Sequence, residues 1–465
     1  MDTSTGVLNP NPPYGTAKPA VGVPFNDVAH GETLYRITDA IGAGIDNFST
    51  EYSSTCLTNA NSTVLRLPGA SGGHRFYELV GGIWTITKVK SLAARGPSDV
   101  WWHPTIADVA YTLAYPIYFY RYNYSTNAQT LLRNFAVTDG FTDCQDGGEN
   151  HLSNDGSLYA FYTPTDIVLY NIDTDTIVAQ KTVMGNSYGG VTVSQFKDIT
   201  VSGNGQQVLF TGTNTNRFFI FEVDGLGGFT HVATPPGAIG HKDSNTGPDG
   251  VDYMFADYGG INNIKRIKFS DGSTQNARTD VFPGYGALPP PSQGFHISCH
   301  TMPDDGYIYA GFYNGTQAQV PGTSSWGYLS QEMARFQYDQ SGDVERIAHM
   351  RSPHGTDYYK QDKTNVSRDG KWLFFTSDWE NISAKYADVY AVILSATANQ
   401  YGVASLSGVG TLALSATLDH AGAASLSGAG TLGITGTVIP FTAPQPPSTH
   451  YPRDGSGGHV ASVLC

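Results

Sequence analysis

The sequence is poor in positive charge. Its 465 residues include 26 Lys and Arg against 40 Asp and Glu, which gives a formal net charge of −14 at pH 7. Phosphate binding needs clustered Lys and Arg, so this balance argues against nucleic acid and equally against an anionic membrane surface as a partner. An acidic polymer would also be repelled unless a local cation offset the field.

Targeting and membrane-spanning signals are lacking as well. The first 23 residues, MDTSTGVLNPNPPYGTAKPAVGV, have neither a basic start nor an apolar core, so they do not make a signal peptide. No apolar run reaches the length of a membrane span. We therefore expect export, if it occurs, to use another route.

Cysteine chemistry and the common catalytic motifs are also missing. The four cysteines, Cys56, Cys144, Cys299 and Cys465, are far apart and form no CxxC pair, which favours buried free thiols and one terminal thiol. The sequence contains no GxSxG elbow, no Walker A loop and no HExxH helix. Its chemistry has to be sought in other residue patterns.

What the sequence does have is a recurring turn. Asp369-Gly370 stands before an aromatic strand at Lys371 to Thr376, and a further strand is predicted at Asp388 to Leu394. Asp-Gly supplies the positive φ angles that a two-residue hairpin turn needs. Seven such turns, here called anchor turns, recur at intervals of 45 to 64 residues: Asn61-Ser62, Asp108, Asp155-Gly156, Asn204-Gly205, Asp249-Gly250, Asp305-Gly306 and Asp369-Gly370.

This period predicts an all-β fold, a seven-bladed β-propeller with a small C-terminal β-repeat appendage. From the second anchor turn onward, a short apolar strand and then another strand follow each turn, as in VAYTLAY and IYFYRYN. About four short strands in each unit of some forty residues are typical of a propeller blade. We expect Thr33 to Thr38 to close the ring by pairing into the last blade. A pair of β-sandwiches is the competing fold, but it would not need the same unit seven times.

The composition divides the chain into four parts. Residues 1–24 hold five prolines and are predicted to be an extended arm, and residues 25–397 form the propeller. Residues 398–440 contain two small-residue β repeats, Tyr401 to Thr417 and Ala421 to Thr437, offset by 20 residues. Residues 441–465 are rich in Pro and Gly and are predicted to be a flexible tail.

The inner strand of each blade lines the central channel of a propeller, and we place it just before each anchor turn. Polar residues that precede the anchor turns are His103, His151, Asp198, His241, Asp243, His296, His300, His354 and Gln361. Imidazole is the usual general base near neutral pH and a common metal ligand, so such a ring could carry chemistry. The alternative is that these groups simply line a water-filled channel and satisfy buried carbonyls.

We assign substrate binding to His103, His151 and Asp243, together with Trp101 and Trp102 as stacking faces for sugar rings. The alternative for the two tryptophans is packing between blades.

Several segments together resemble a known family. They are Tyr35 to Asp39, the His241 segment, Gly294 to His300 and the stretch from His354 to Trp379. Over about residues 30 to 396 the chain resembles the TolB-like seven-bladed propellers, most of all the oligogalacturonate lyase type.

The resemblance implies a metal-assisted elimination. In that family a metal ion held by channel histidines and a Gln neutralises a uronate carboxylate, a further His removes the adjacent ring proton, and the glycosidic oxygen leaves. Carried over, His241 is the catalytic base, and the metal ligands are His296, His300, His354 and Gln361. The implied cofactor is a divalent cation, Mn²⁺ or Ca²⁺, with no organic cofactor. The sequence departs from the family in lacking the closely spaced His doublet expected near His354.

The two SLSGxGTL repeats look like segments of bacteriophage structural and tail-associated proteins. We therefore expect a carbohydrate-recognising propeller, either a polysaccharide lyase acting on a uronic-acid polymer or a non-enzymatic glycan-binding or structural component of a phage virion or extracellular assembly. The expected partners are a polysaccharide or surface glycan and, through residues 398–465, other virion proteins. The expected location is extracellular or virion-associated.

Overall fold

The structure is a computed structural model. It describes residues 13, 15–43, 48–50, 53–68, 73–94, 99–115, 117–145, 151–212, 217–237, 239–258, 264–278, 293–314, 329, 331–339, 341–352, 363–379 and 386–394. The two predicted repeats of residues 398–440 and the tail of 441–465 lie outside these ranges and stay predictions. Most of the predicted arm, residues 1–12, lies outside them too.

The described chain forms the seven-bladed β-propeller that the anchor turns predicted. Four of its seven blades are complete antiparallel sheets of four strands. Blade 2 comprises β6 (Val100–Trp102), β7 (Val109–Ala114), β8 (Tyr118–Asn123) and β9 (Ala128–Asn134). Blade 4 comprises β15 (Asp198–Val201), β16 (Gln207–Thr211), β17 (Phe218–Val223) and β18 (Phe229–Ala233).

Blades 5 and 6 follow the same pattern. Blade 5 comprises β19 (Ile239–Thr246), β20 (Asp252–Tyr258), β21 (Ile264–Lys268) and β22 (Thr274–Arg278). Blade 6 comprises β23 (Gln293–Ser298), β24 (Tyr307–Asn314), β25 (Glu332–Gln337) and β26 (Glu345–His349). The short helix α2 (Met302–Asp305) lies between β23 and β24.

Blades 1 and 3 have three named strands, and single bridges stand in place of their inner strands. Blade 1 comprises β3 (Val64–Pro68), β4 (Gly73–Val80) and β5 (Ile83–Ser91), with a bridge from Thr58 to Leu65. Blade 3 comprises β10 (Leu158–Tyr162), β11 (Asp166–Asn171) and β12 (Thr176–Thr182), with isolated bridges from Leu152 to Tyr159 and from Gln145 to Tyr162.

Three further elements connect the blades: helix α1 (Phe135–Asp139) and the ribbon of β13 (Ser187–Tyr188) and β14 (Val191–Thr192). Helices α1 and α2 have five and four residues, so no helix in the described part of the chain could cross a membrane.

The chain closes the ring with its own N-terminal strands. Blade 7 comprises β27 (Asn365–Val366), β28 (Trp372–Ser377), β29 (Asp388–Ile393), β2 (Glu32–Arg36) and β1 (Pro24–Asp27). Strand β2 pairs antiparallel with β29, with Tyr35 opposite Ala391. The predicted closure is therefore confirmed, and β1 adds a fifth strand at the outer edge of this blade.

Each anchor turn joins the inner strand of a blade to the second strand. In the last blade the Gly370 amide donates to the Ser367 carbonyl at 3.0 Å, and the Ser367 hydroxyl donates to Asp369 Oδ1 at 2.7 Å. Gly370 has a φ of 67°, a conformation that glycine adopts at little cost. Val366 pairs with Leu373, so six residues lie between these two partners. The two-residue turn predicted here is therefore wrong, and Asp-Gly lies inside a longer turn that needs one positive φ.

The core lies between neighbouring blades and is rich in aromatic rings. Trp84 of blade 1 meets Trp372 of blade 7 edge-on, with ring centroids 5.7 Å apart. Phe119 of blade 2 packs against Tyr159 of blade 3 at 4.8 Å, which confirms the core role expected for Phe119. Such pairs add about 0.5–1.5 kcal/mol each beyond the burial of their area. The predicted free thiols agree with this core, since Cys56, Cys144 and Cys299 are buried and unbridged.

A buried carboxylate secures the closure. Asp388, at the start of β29, accepts hydrogen bonds from Thr38 Oγ1 and the Ala40 amide, both at 2.8 Å, and from Arg36 Nε at 3.2 Å. The ammonium group of Lys18 also pairs with it. One carboxylate thus connects the C-terminal strand to four residues of the N-terminal segment.

We expect Asp388→Ala to lower the free energy of unfolding by roughly 3–5 kcal/mol, because it removes the buried acceptor that Arg36, Thr38 and Ala40 share. Urea unfolding followed by tryptophan fluorescence measures this change. Asp343→Ala, at an exposed position, is the matched control and should stay within about 0.5 kcal/mol of the native protein. Equal stability of the two variants would contradict the role assigned to Asp388.

Candidate functional site

Two of the predicted site residues meet at the channel wall. His241 lies near the start of β19 in blade 5, and His296 lies in β23 of blade 6. Their imidazole centroids are 4.0 Å apart with the ring planes at 46°. His296 is buried, whereas His241 is partly exposed. Since β19 and β23 are the inner strands of adjacent blades, the fold brings together two histidines that are 55 residues apart in sequence.

Positive charge surrounds this pair. Burial, and then the charges of Lys197, Lys242 and Lys363, lower the pKa of His241 to about 4. His241 is therefore a neutral imidazole at pH 7, able to accept a proton or to donate a lone pair. Lys242 is held by Asp198 at 2.7 Å, and Lys363 Nζ donates to Ser49 Oγ at 3.2 Å.

His300 lies in a different place from His296. It follows the end of β23, beside the anchor turns, and lines a small cavity of about 30 Å³ together with Asn245 and Arg368. Burial and the charge of Arg368 lower its pKa to about 3. A polar cavity of this size holds one or two water molecules. The structure therefore does not place His300 in the His241–His296 pair.

His103 and His151 are both buried. His103 Nδ1 accepts the backbone N–H groups of Thr105 and Ile106, each at 3.1 Å, so this ring caps a turn. His151 lies edge-on to Trp101 at 5.2 Å. Burial lowers the pKa of His151 to about 3, with the charge of Lys242 acting in the same direction and that of Asp198 opposing it.

Asp243 connects two inner strands. Its Oδ2 accepts the backbone N–H of Cys299 at 2.6 Å, and its Oδ1 accepts that of Ser244 at 2.8 Å. This buried carboxylate holds β19 against the end of β23, which is a positioning role for the segment that carries His241 and His296.

The two tryptophans assigned to sugar stacking are buried in the structure. Trp102 donates its indole N–H to the Leu57 carbonyl at 3.0 Å and meets Phe76 edge-on at 5.9 Å. Trp101 packs against Tyr159 at 5.5 Å. Both also border the small cavity, but their ring faces are occupied by neighbouring blades. The remaining predicted residues, His354 and Gln361, lie outside the described ranges.

Sequence reasoning missed the lysines of this site. Lys197, Lys242 and Lys363 precede their anchor turns by six or seven residues, a spacing similar to that of several of the predicted channel residues. This spacing could have revealed them. The predicted channel residues were only those that transfer a proton or bind a metal, whereas a lysine contributes by neutralising a bound anion.

A separate group of potential metal ligands lies away from the channel. Asp27, His30 and His349 are all buried, and one ligand atom from each lies within 4.8 Å of the others. Asp27 ends the outermost strand of blade 7 and His349 ends the outermost strand of blade 6. Among the described residues, no other group of three or more His, Cys, Asp or Glu side chains is close enough together to hold an ion.

The buried histidines predict a loss of stability in mild acid. Burial lowers the pKa of His74, His151 and His300 to about 3 and that of His103 to about 4. The unfolded chain, with histidine pKa values near 6.5, takes up protons first as the pH falls. The free energy of unfolding should therefore decrease from about pH 6.5 towards pH 4, by about 1.4 kcal/mol per pH unit for each histidine.

Urea unfolding at several pH values between 7.5 and 4.5 measures this slope. His103→Asn keeps a hydrogen-bond acceptor for the turn but cannot be protonated. The free energy of unfolding of this variant should therefore fall less steeply with pH, by about 1.4 kcal/mol per pH unit. A free energy of unfolding that does not change over this range would contradict the assignment of neutral buried imidazoles.

No protein-family model and no curated relative matches the sequence. Solved structures do match. An oligogalacturonate lyase from Vibrio parahaemolyticus is 10% identical and superposes with a TM-score of 0.52, over 80% of this chain and 96% of that one. An oligogalacturonate lyase in complex with manganese is 13% identical, also with a TM-score of 0.52, over 82% of this chain and 98% of that one. At such low identity the likeness shows the fold alone: the chain is a seven-bladed propeller built like these lyases.

Proposed function

We propose that the protein is a polysaccharide lyase that cleaves a uronic-acid polymer by β-elimination at the His241–His296 end of its channel. The observation that carries the proposal is a neutral imidazole, His241, beside a second imidazole and within the field of three lysine charges. The propeller fold shared with two oligogalacturonate lyases supports the same substrate class.

The lysines resolve the difficulty that the net charge raises. A chain of net charge −14 repels a polyuronate at long range. Lys197 and Lys363 place positive charge next to His241, so a sugar carboxylate entering the channel meets a local field of the opposite sign. Hydrogen bonds between ammonium and carboxylate groups are charge-assisted and stronger than neutral ones.

Elimination requires a base and a stabilised carboxylate. His241 takes the proton from the ring carbon that bears the carboxylate. The electrons of that C–H bond form a double bond to the adjacent ring carbon, and the bond between that adjacent carbon and the glycosidic oxygen breaks. The lysine charges stabilise the negative charge that the carboxylate gains as the proton is removed. Water supplies the proton for the leaving oxygen.

A divalent cation belongs to the proposal. His296 offers an imidazole nitrogen, which suits Mn²⁺ better than Ca²⁺ because Ca²⁺ takes oxygen ligands. His296 would hold the ion, together with His354 and Gln361 from outside the described ranges. When bound, the ion supplies further positive charge at the sugar carboxylate. Manganese is also the metal in the second lyase structure.

The product of elimination contains a conjugated double bond, so ultraviolet absorbance follows the reaction. We expect the absorbance to rise with Mn²⁺ and a uronic-acid polymer, and His241→Ala to lower the rate at least about hundredfold because the base is lost. His231→Gln, which removes a histidine from the outer strand of blade 4, is the matched control and should retain the native rate.

If the protein stays active in EDTA, the lysines alone neutralise the carboxylate of the sugar. If no polymer in a broad uronate panel reacts while the protein still binds glycans, the proposed activity is refuted in favour of a glycan-binding component.

The positive charge of Lys197 should affect both the pH dependence of the reaction and the KM. Lys197→Met removes an exposed cation that lowers the pKa of His241, so the acidic limb of the pH–rate profile should move upward from about pH 4. The KM for a uronate should rise about tenfold, since a charge-assisted hydrogen bond contributes roughly 1.5 kcal/mol. Lys371→Met, in an exposed turn, is the control and should change neither quantity. An unchanged KM together with an unmoved limb would contradict the role of Lys197.

A further inference from the structure

The group of Asp27, His30 and His349 lies where the ring closes, between the outer parts of blades 6 and 7. Asp27 is the last residue of β1, His30 follows in the turn to β2, and His349 is the last residue of β26. The side chains of His30 and His349 are fully buried. Their ring centroids are 4.5 Å apart.

Asp27 orients His349. Its Oδ2 accepts the backbone N–H of His349 at 2.7 Å and lies 3.0 Å from His349 Nδ1. The carboxylate and His349 Nδ1 face each other, so a metal ion between them could replace the proton that they share, since metal ligands bind in their deprotonated forms. The other oxygen, Asp27 Oδ1, is buried and has no hydrogen-bond partner among the described residues. A buried carboxylate oxygen without a hydrogen bond is costly unless something else satisfies it.

The surrounding charges leave room for a cation. Glu332 lies 3.9 Å from both His30 Nε2 and His349 Nε2. Arg346 already neutralises it through two hydrogen bonds, of 2.6 Å from Nε and 2.5 Å from Nη2. Arg346 therefore compensates the charge of Glu332, and the imidazoles of His30 and His349 lie beside the charge of Asp27. A proton on His349 would balance that charge, and so would a bound metal ion.

We propose that Asp27, His30 and His349 form a structural site for Zn²⁺ that ties the edge strand β1 to blade 6. Two imidazoles and one carboxylate are a donor set that Zn²⁺ takes readily, whereas Ca²⁺ and Mg²⁺ prefer oxygen ligands alone. The ligand atoms lie within 4.8 Å of one another. The distances between them would have to shorten by on the order of 1 Å to match the spacing of donors around a tetrahedral ion. This site is separate from the His241–His296 pair, and it does not depend on the proposed activity.

The test uses the full chain carrying His241→Ala and His296→Ala, so that neither imidazole of the channel pair can hold an ion. After dialysis against EDTA, addition of Zn²⁺ should load one ion per chain, measured by elemental analysis, and raise the Tm by about 2–4 °C. Adding His30→Gln or Asp27→Asn should abolish both effects. Adding His231→Gln as the matched control should leave both unchanged.

X-ray absorption of the Zn²⁺-loaded protein gives a readout that needs no further variant. It should show two imidazole ligands, so the test holds even if His30→Gln fails to fold. The proposal is overturned if folded protein takes up no Zn²⁺, if His30→Gln retains the ion, or if the bound ion has no imidazole ligands. A proton on His349 would then be the balancing charge.

Discussion

The closure of the ring is the constraint on which the rest of this structure depends. Each blade buries its apolar faces only against its two neighbours, so an open ring would leave two faces exposed to water. The pairing of β2 with β29 removes that exposure by building the last blade from both ends of the propeller. Asp388 adds an electrostatic component, since it accepts hydrogen bonds from residues that lie about 350 positions earlier in the chain.

Closure also assembles the channel site from residues that are distant in sequence. His241, His296 and Lys363 belong to blades 5, 6 and 7 and can act on one another only when these blades stand side by side. The inner strands end in anchor turns at the opposite end, where His300 and Arg368 border a small polar cavity. The two ends of the channel therefore differ in composition, with the His241–His296 pair and the lysine charges at one end and buried polar side chains at the other.

Much of the fold could be predicted because it is a local pattern repeated. The Asp-Gly turns and the aromatic strands after them mark each blade, and the strand near Leu34 was correctly placed in the closing sheet. Turn geometry was harder, since Asp369-Gly370 fits several turn types that differ only in how many residues separate the strands. The single bridges that stand in for the inner strands at Thr58 and Leu152 leave no signature in residue pattern either.

The site was less predictable, because burial and charge arise only from packing. The pairing of His241 with His296 depends on which inner strands are neighbours, and the burial of Trp101 and Trp102 depends on the blades beside them. The field at His241 comes from three lysines on separate segments, each unremarkable in sequence. The cluster at Asp27 combines residues more than 300 positions apart, so spacing alone could not reveal it.

The central claim is that one end of the channel recognises the carboxylate of an acidic sugar. Isothermal titration of the His241→Ala protein with a uronic-acid oligosaccharide and with its fully methyl-esterified form tests this directly, since the two ligands differ only in charge and a methyl group. The account predicts that the acid binds at least about tenfold more tightly and that added salt reduces the difference. Equal affinity for the two forms would contradict it.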